Sequence, residues 1–197
     1  MTRLLRGGTQ GNARLTASTG VLLLVLLAIE GATLLSVRSM LSLHIFIGLM
    51  LIPPVALKLA STGYRLVRYY TRDLEYVRQG PPMLVMRVLV APGLVAATVA
   101  LLGTGVALLV IGPGGGIVLG LHQASFFVWV AAFGIHVLAY LTRLPRLVAA
   151  DWGRDRAVPG TALRYGFVAL ALVAGAVLAV AALPADSSWL HWAATEH

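Results

Sequence analysis

Apolar residues in this chain come in five long blocks. They follow neither the alternation of a strand nor the one-sided spacing of a surface helix. The blocks are Ser18–Val37, Leu41–Ala60, Val88–Ile111, Ile117–Leu141 and Tyr165–Leu183. Each is about 20 residues or a little longer, the length a helix needs to cross a bilayer. The pattern predicts an all-α integral membrane protein with five transmembrane helices. The first block is too long for a signal-peptide core and lacks a convincing small-residue cleavage site after it. Pro53-Pro54 in the middle of the second block predicts a kink.

Polar residues gather between the blocks. Residues 1–17 form a basic tail with Arg3, Arg6 and Arg14, and Arg38 stands alone in the turn after the first block. From Ser61 to Arg87, Arg65, Arg68, Arg72, Arg78 and Arg87 face only Asp73 and Glu75, with Tyr64, Tyr69, Tyr70 and Tyr76 among them. Tyrosine and arginine together mark a membrane interface. An amphipathic surface helix over Tyr64–Tyr76 is expected, and Gly80-Pro81-Pro82 turns the chain back. Gly112–Gly116 reads as a tight turn; a phosphate loop would need a strand before it and Lys-Ser/Thr after it. A second basic segment follows the fourth block, including the loop 147–164. The tail 184–197 carries Trp189, Trp192, His191 and His197, the two histidines read as solvated. Nearly all arginines lie at one set of ends. The positive-inside rule therefore puts the N-terminus and both basic loops in the cytoplasm and the C-terminus outside.

Composition narrows the function. The chain is 59% hydrophobic and 11% charged, where soluble domains carry about 25% charge. There is no cysteine, which removes disulfides, thiolate clusters and covalently attached c-type haem. The net charge of +8 belongs to arginines flanking spans, so it points to membrane lipid and not to nucleic acid.

The few polar residues inside the blocks then stand out: Glu30, His44, Lys58, His122 and His136. His122 and His136 are 14 residues apart. In a helix that separation comes back to within about 40° of one face and spans about 21 Å. One helix thus presents an imidazole near each side of the bilayer, and the two cannot share one metal. The two hairpins also align as a repeat. Glu30-Gly31 falls on Thr104-Gly105 and Leu43-His44 on Leu121-His122. From there Lys58 falls on His136, and Arg65-Leu66 on Arg143-Leu144, without a gap. The predicted architecture is a four-helix bundle over residues 18–146 built from two repeated hairpins, with a peripheral fifth helix over residues 165–183.

In that bundle His44 and His122 lie at equal depth near the outer face. Together they suit the iron of one haem b, with the low-spin six-coordination of electron carriers. Gly31, Gly48 and Gly105 would let a flat macrocycle approach the backbone, and Arg38 would neutralise an outer propionate. The inner position is irregular, because His136 meets Lys58 and not a second histidine. Three readings stay open there: no inner haem, with Lys58 reaching to the interface; a second haem on His136 with or without neutral Lys58; or Lys58 paired with a propionate or with Glu30. Glu30 is either a protonated carboxyl fastened to a neighbouring helix or part of a proton relay. Trp129 and Phe126-Phe127 read as packing. Zinc or copper suits the set less well, for want of a thiolate and of a third ligand at one depth.

The LH…W…H pattern from Leu121 to His136 resembles the bacterial membrane cytochromes b, among them the membrane subunits of hydrogenases and formate dehydrogenases and small quinol-linked cytochromes. The stretches HIFIGLMLIPPVALKLASTGYRLVRYY (His44–Tyr70) and YVRQGPPMLVMR (Tyr76–Arg87) are similar to small membrane proteins of high-GC Gram-positive bacteria. The resemblance implies haem b, a quinone or another redox partner, and electron transfer, with His44, His122 and His136 at ligand positions. Lys58 departs from the di-haem pattern. The expectation is therefore a b-type membrane cytochrome, an electron-transfer subunit more than a stand-alone catalyst. It would work between a membrane quinone and an extracytoplasmic or membrane redox partner, and the pattern allows a homo-oligomer. Two rivals are a non-redox scaffold or assembly protein, and a small proton-coupled transporter using Glu30, Lys58 and His136.

Overall fold

The computed structural model describes residues 7–78, 85–140 and 158–195. Five helical segments are long and apolar enough to cross a membrane: Gly8–Ser36, Leu41–Tyr70, Met86–Ile111, Gly116–Ala139 and Thr161–Thr195. Large apolar side chains such as Phe127 and Leu138 are 70% and 72% exposed. In a chain with this hydropathy their solvent is lipid, so the protein is a multi-pass membrane protein. The loop 147–164 lies outside the described residues except for its last seven, and the Gly80-Pro81-Pro82 turn, Arg3, Arg6, Arg143 and His197 lie outside them altogether.

Helix α1 (Gly8–Thr33) starts ten residues before the expected span and runs into a 3-10 turn, Leu34–Ser36. Most of the expected basic tail is thus helix. Asn12 Nδ2 donates to the Ser61 carbonyl at 3.0 Å and Thr16 Oγ1 to Ser61 Oγ at 2.9 Å. The apolar pattern did not register this extension, because polar groups hold it.

The second span is broken in two, α2 (Leu41–Met50) and α3 (Ile52–Tyr70), with Leu51 between them. The prolines explain the position. Pro53 and Pro54 have no N–H, so the carbonyls of Leu49 and Met50 one turn earlier lose their helical donors. Beyond α3 the expected separate surface helix is absent. The helix continues unbroken to Tyr70, Arg72 turns the chain at φ 58°, and the short α4 (Leu74–Val77) folds back. Asp73 caps α4, accepting from Glu75 N at 3.0 Å, and also pairs with Arg68. Tyr76 is buried against Tyr64, ring centres 6.1 Å apart. Tyrosines read as facing the interface in part face each other.

A π-helical turn, Met86–Val90, leads into α5 (Ala91–Ile111), and Gly112 at φ 81° opens the expected tight turn to α6 (Gly116–Tyr140). These two form a long antiparallel pair. Trp129 donates to Thr98 Oγ1 at 3.0 Å and stacks on Phe133 at 4.5 Å, a packing role as expected.

The fifth span, α7 (Thr161–Ala182), is not peripheral. It packs against α1, α2 and α3, whereas α6 packs on α5. The reason is a stripe of small residues four apart: Ala171, Gly175 and Ala179 are all buried. Small residues let helix backbones approach closely where lipid supplies no hydrophobic drive between helices. A β-carbon on Gly175 would collide with the backbone of Met50, including the carbonyl freed by Pro54. Gly175→Ala is expected to lower stability by about 1–3 kcal/mol. An SDS unfolding titration reads this as an earlier midpoint, and an unchanged midpoint would mean that α7 is not seated on Met50.

A 3-10 turn (Leu183–Asp186) and helix α8 (Ser187–Thr195) follow α7. The described part of the segment read as a tail, residues 184–195, is docked. Trp189 is 7% exposed in a cluster with Leu41 and Leu108, flanked by Ile45, Val118, Leu119 and Trp192. His191 is exposed, as expected.

Candidate functional site

The two hairpins meet along a narrow seam, α2 against α5. Beside that seam His44 of α2 and His122 of α6 face each other, ring centres 6.4 Å apart and planes crossed at 83°. The hydrogen bonds fix which nitrogen of each ring carries the proton. At His122, Nδ1 lies 3.1 Å from the Leu101 carbonyl, which can only accept. Thr104 Oγ1 is 3.0 Å from the same nitrogen and already donates its own proton to Ala100 O at 2.6 Å. Nδ1 of His122 is therefore the N–H, and Nε2 carries the lone pair. At His44, Nδ1 lies 2.9 Å from Glu30 Oε1 and 3.0 Å from Thr33 Oγ1. The Thr33 hydroxyl donates to the Glu30 carbonyl at 2.6 Å, so it accepts from His44. Neutral His44 is the same tautomer.

Both rings are thus tied to their own hairpin through Nδ1, and none of these bonds uses Nε2. This is the arrangement of metal-binding histidines, in which one nitrogen is oriented by an outer partner and the other is the ligand. The separation fits as well. Two metal–nitrogen bonds of about 2 Å, with roughly 1 Å more to each ring centre, place two imidazoles roughly 6 Å apart.

The expected repeat has a structural counterpart here. Glu30 and Thr104, aligned by the repeat, both bond Nδ1 of the aligned histidine. Thr33 and the Leu101 carbonyl were missed. The spacing from Glu30 to Thr33 is one helical turn, which would have signalled Thr33; a backbone carbonyl leaves no mark in sequence. The glycines clear space for these groups. A β-carbon at Gly105 would come within 3.2 Å of the His122 ring, and one at Gly48 within 3.5 Å of Glu30 Oε1. Gly31 borders open space. Arg38 lies over the Trp192 ring at 5.2 Å from its centre, tying the turn between α1 and α2 to α8.

At the other end Lys58 Nζ donates to the Thr16 carbonyl at 2.6 Å and fits against Gly20. It does not pair with Glu30, whose carboxylate is on His44, so that reading of Lys58 is set aside. Lys58 is near enough to His136 to act on it electrostatically, as their shared depth in the repeat implies. His136 is far from the His44–His122 pair, 14 residues further along α6. Among the described residues no cluster of three or more His, Asp or Glu side chains could hold a metal ion.

No protein-family model, curated protein or solved structure matches this chain.

Proposed function

We propose that this chain is a b-type membrane cytochrome, binding one haem b between its two hairpins through His44 and His122. The observation that carries the reading is the matched tautomer: two imidazoles, one from each hairpin, both holding their proton on the outer-shell side and both keeping a lone pair on Nε2. A zinc site wants three or four protein ligands. Two imidazoles suit an iron whose other four positions belong to a macrocycle. When bound, such an iron supplies one-electron chemistry. The residues of the chain orient the two ligands, hold protons on Nδ1 and keep the seam apolar.

The role that follows is electron transfer between a membrane quinone and an extracytoplasmic redox partner. The histidine pair sits at the end away from most of the arginines, which the positive-inside rule puts outside the cytoplasm. Lys58 is held on the Thr16 carbonyl and His44 with His122 supplies one pair of facing imidazoles, so one haem per chain is the expected count. The scaffold reading accounts for the Nδ1 bonds but gives the two unprotonated Nε2 atoms no task.

Oxidised and dithionite-reduced spectra of the detergent-purified protein test this, with a pyridine haemochrome count. A sharp Soret shift, a band in the b-haem region near ~560 nm and one haem per chain are the expected result. Colourless protein from haem-replete cells would overturn it.

A further inference from the structure

The outer shells of the two histidines are not equivalent. His122 Nδ1 is held by neutral groups, the Thr104 hydroxyl and the Leu101 carbonyl. His44 Nδ1 is held by a carboxylate, Glu30, with the Thr33 hydroxyl beside it. The Glu30 side chain is 15% exposed, and its second oxygen, Oε2, is buried with no hydrogen-bond partner. Among the described residues, its one ion-pair partner is His44 itself. If His44 ligates through Nε2, its imidazole stays neutral and does not answer the carboxylate's charge. A buried charge without a counter-charge is costly. The group able to answer it is a cation held on the far side of the His44 ring.

Resting on the haem reading above, we infer that Glu30 is a positioning residue that sets the redox level of the site. Its carboxylate polarises the His44 ligand and favours the ferric state, whose iron carries one more positive charge than the ferrous. The couple takes up one electron at the iron and no bond forms or breaks. Outer-shell partners of a ligating histidine raise its basicity, and hydrogen bonding around the axial ligand is one of the levers on haem potential. The asymmetry makes a directional claim. Removing charge on the His44 side shifts the potential upward; removing the neutral partner on the His122 side does not.

The test is a redox titration of purified holoprotein followed at the Soret band, with ferric electron paramagnetic resonance as a second readout. Glu30→Gln keeps size and acceptor but not charge. It is expected to raise the ferrous-to-ferric ratio at fixed ambient potential by tenfold or more, which for one electron is about 59 mV. Glu30→Asp, which keeps the charge, is expected to stay closer to wild type. Thr104→Val is expected to change the ratio by less than about threefold, because His122 keeps the Leu101 carbonyl. An unchanged midpoint in Glu30→Gln would overturn the inference, and so would an equal shift in Thr104→Val. If Glu30→Gln holds no haem, Glu30→Ala is titrated in its place, since Thr33 still ties the ring. Loss of haem in both would show Glu30 to be purely structural and end the tuning claim. Wild-type protein without haem would instead defeat the reading on which the inference rests.

Discussion

Replacing His44 or His122 with alanine is expected to cut haem per purified chain by about tenfold or more, since even outer-shell losses cost 10–100-fold in metal affinity. His136→Ala is expected to keep the wild-type count. The contrast follows from position. His44 and His122 stand 6.4 Å apart on different hairpins with matched tautomers, whereas His136 is about 21 Å from His122 along the same helix. Pyridine haemochrome content against protein concentration gives the ratio, and size-exclusion profiles in detergent confirm that each variant is folded. Equal haem in His44→Ala and wild type would remove the two-ligand site. Loss of haem in His136→Ala would move a ligand to the Lys58 end. Because His44 also holds Glu30, His44→Ala leaves a buried carboxylate without its donor, and some loss of stability accompanies loss of haem.

The parts of this arrangement that could be read in the sequence are those carried by spacing. Five spans follow from block length, and the break at Leu51 follows from Pro53-Pro54. The matched depth of His44 and His122 follows from a repeat that has a longer turn in its second copy and runs without a gap from the histidines onward, and their meeting between α2 and α6 agrees with it. What could not be read was carried by packing. The position of α7 depends on three small residues, Ala171, Gly175 and Ala179, which a hydropathy reading scores as ordinary apolar sequence. The length of α1 depends on Asn12 and Thr16 meeting Ser61 across 45–49 residues of chain. Lys58 shows the limit most plainly. Sequence depth matched it to His136, but its hydrogen bond goes to the Thr16 backbone, and no side-chain pattern predicts a bond to a carbonyl.

Trp189→Ala is expected to destabilise the protein by about 3–5 kcal/mol, the usual cost of truncating a buried tryptophan. Trp189 works across the seam. The hairpins touch directly through α2 and α5, with His122 of α6 facing His44 of α2 beside them. At the histidine end the tryptophan bridges both hairpins. Its ring packs on Leu41 of α2 and Leu108 of α5, and its Nε1 donates to the Leu108 carbonyl at 2.9 Å. That carbonyl also receives the Gly112 amide at the end of α5, so the indole anchors where the helix stops. Trp192 beside it packs edge-on at 5.7 Å and carries Arg38 on its face. Helix α8 is thus a clasp across the end that holds His44 and His122. It is fixed to α7 in sequence, to α2 by Ser42 donating to the buried Asp186 at 3.4 Å, and to α5 by the indole. Trp189→Phe keeps most of the buried area and loses only the hydrogen bond, so about 1 kcal/mol is expected. Thermal unfolding in detergent, compared across wild type, Phe and Ala, separates the two contributions. Haem retention in the same series reports whether the clasp holds His44 against His122. If Trp189→Ala melts with wild type, α8 is an appendage and the seam stands on α2 and α5 alone. If it melts early and releases haem, α8 is part of what builds the site.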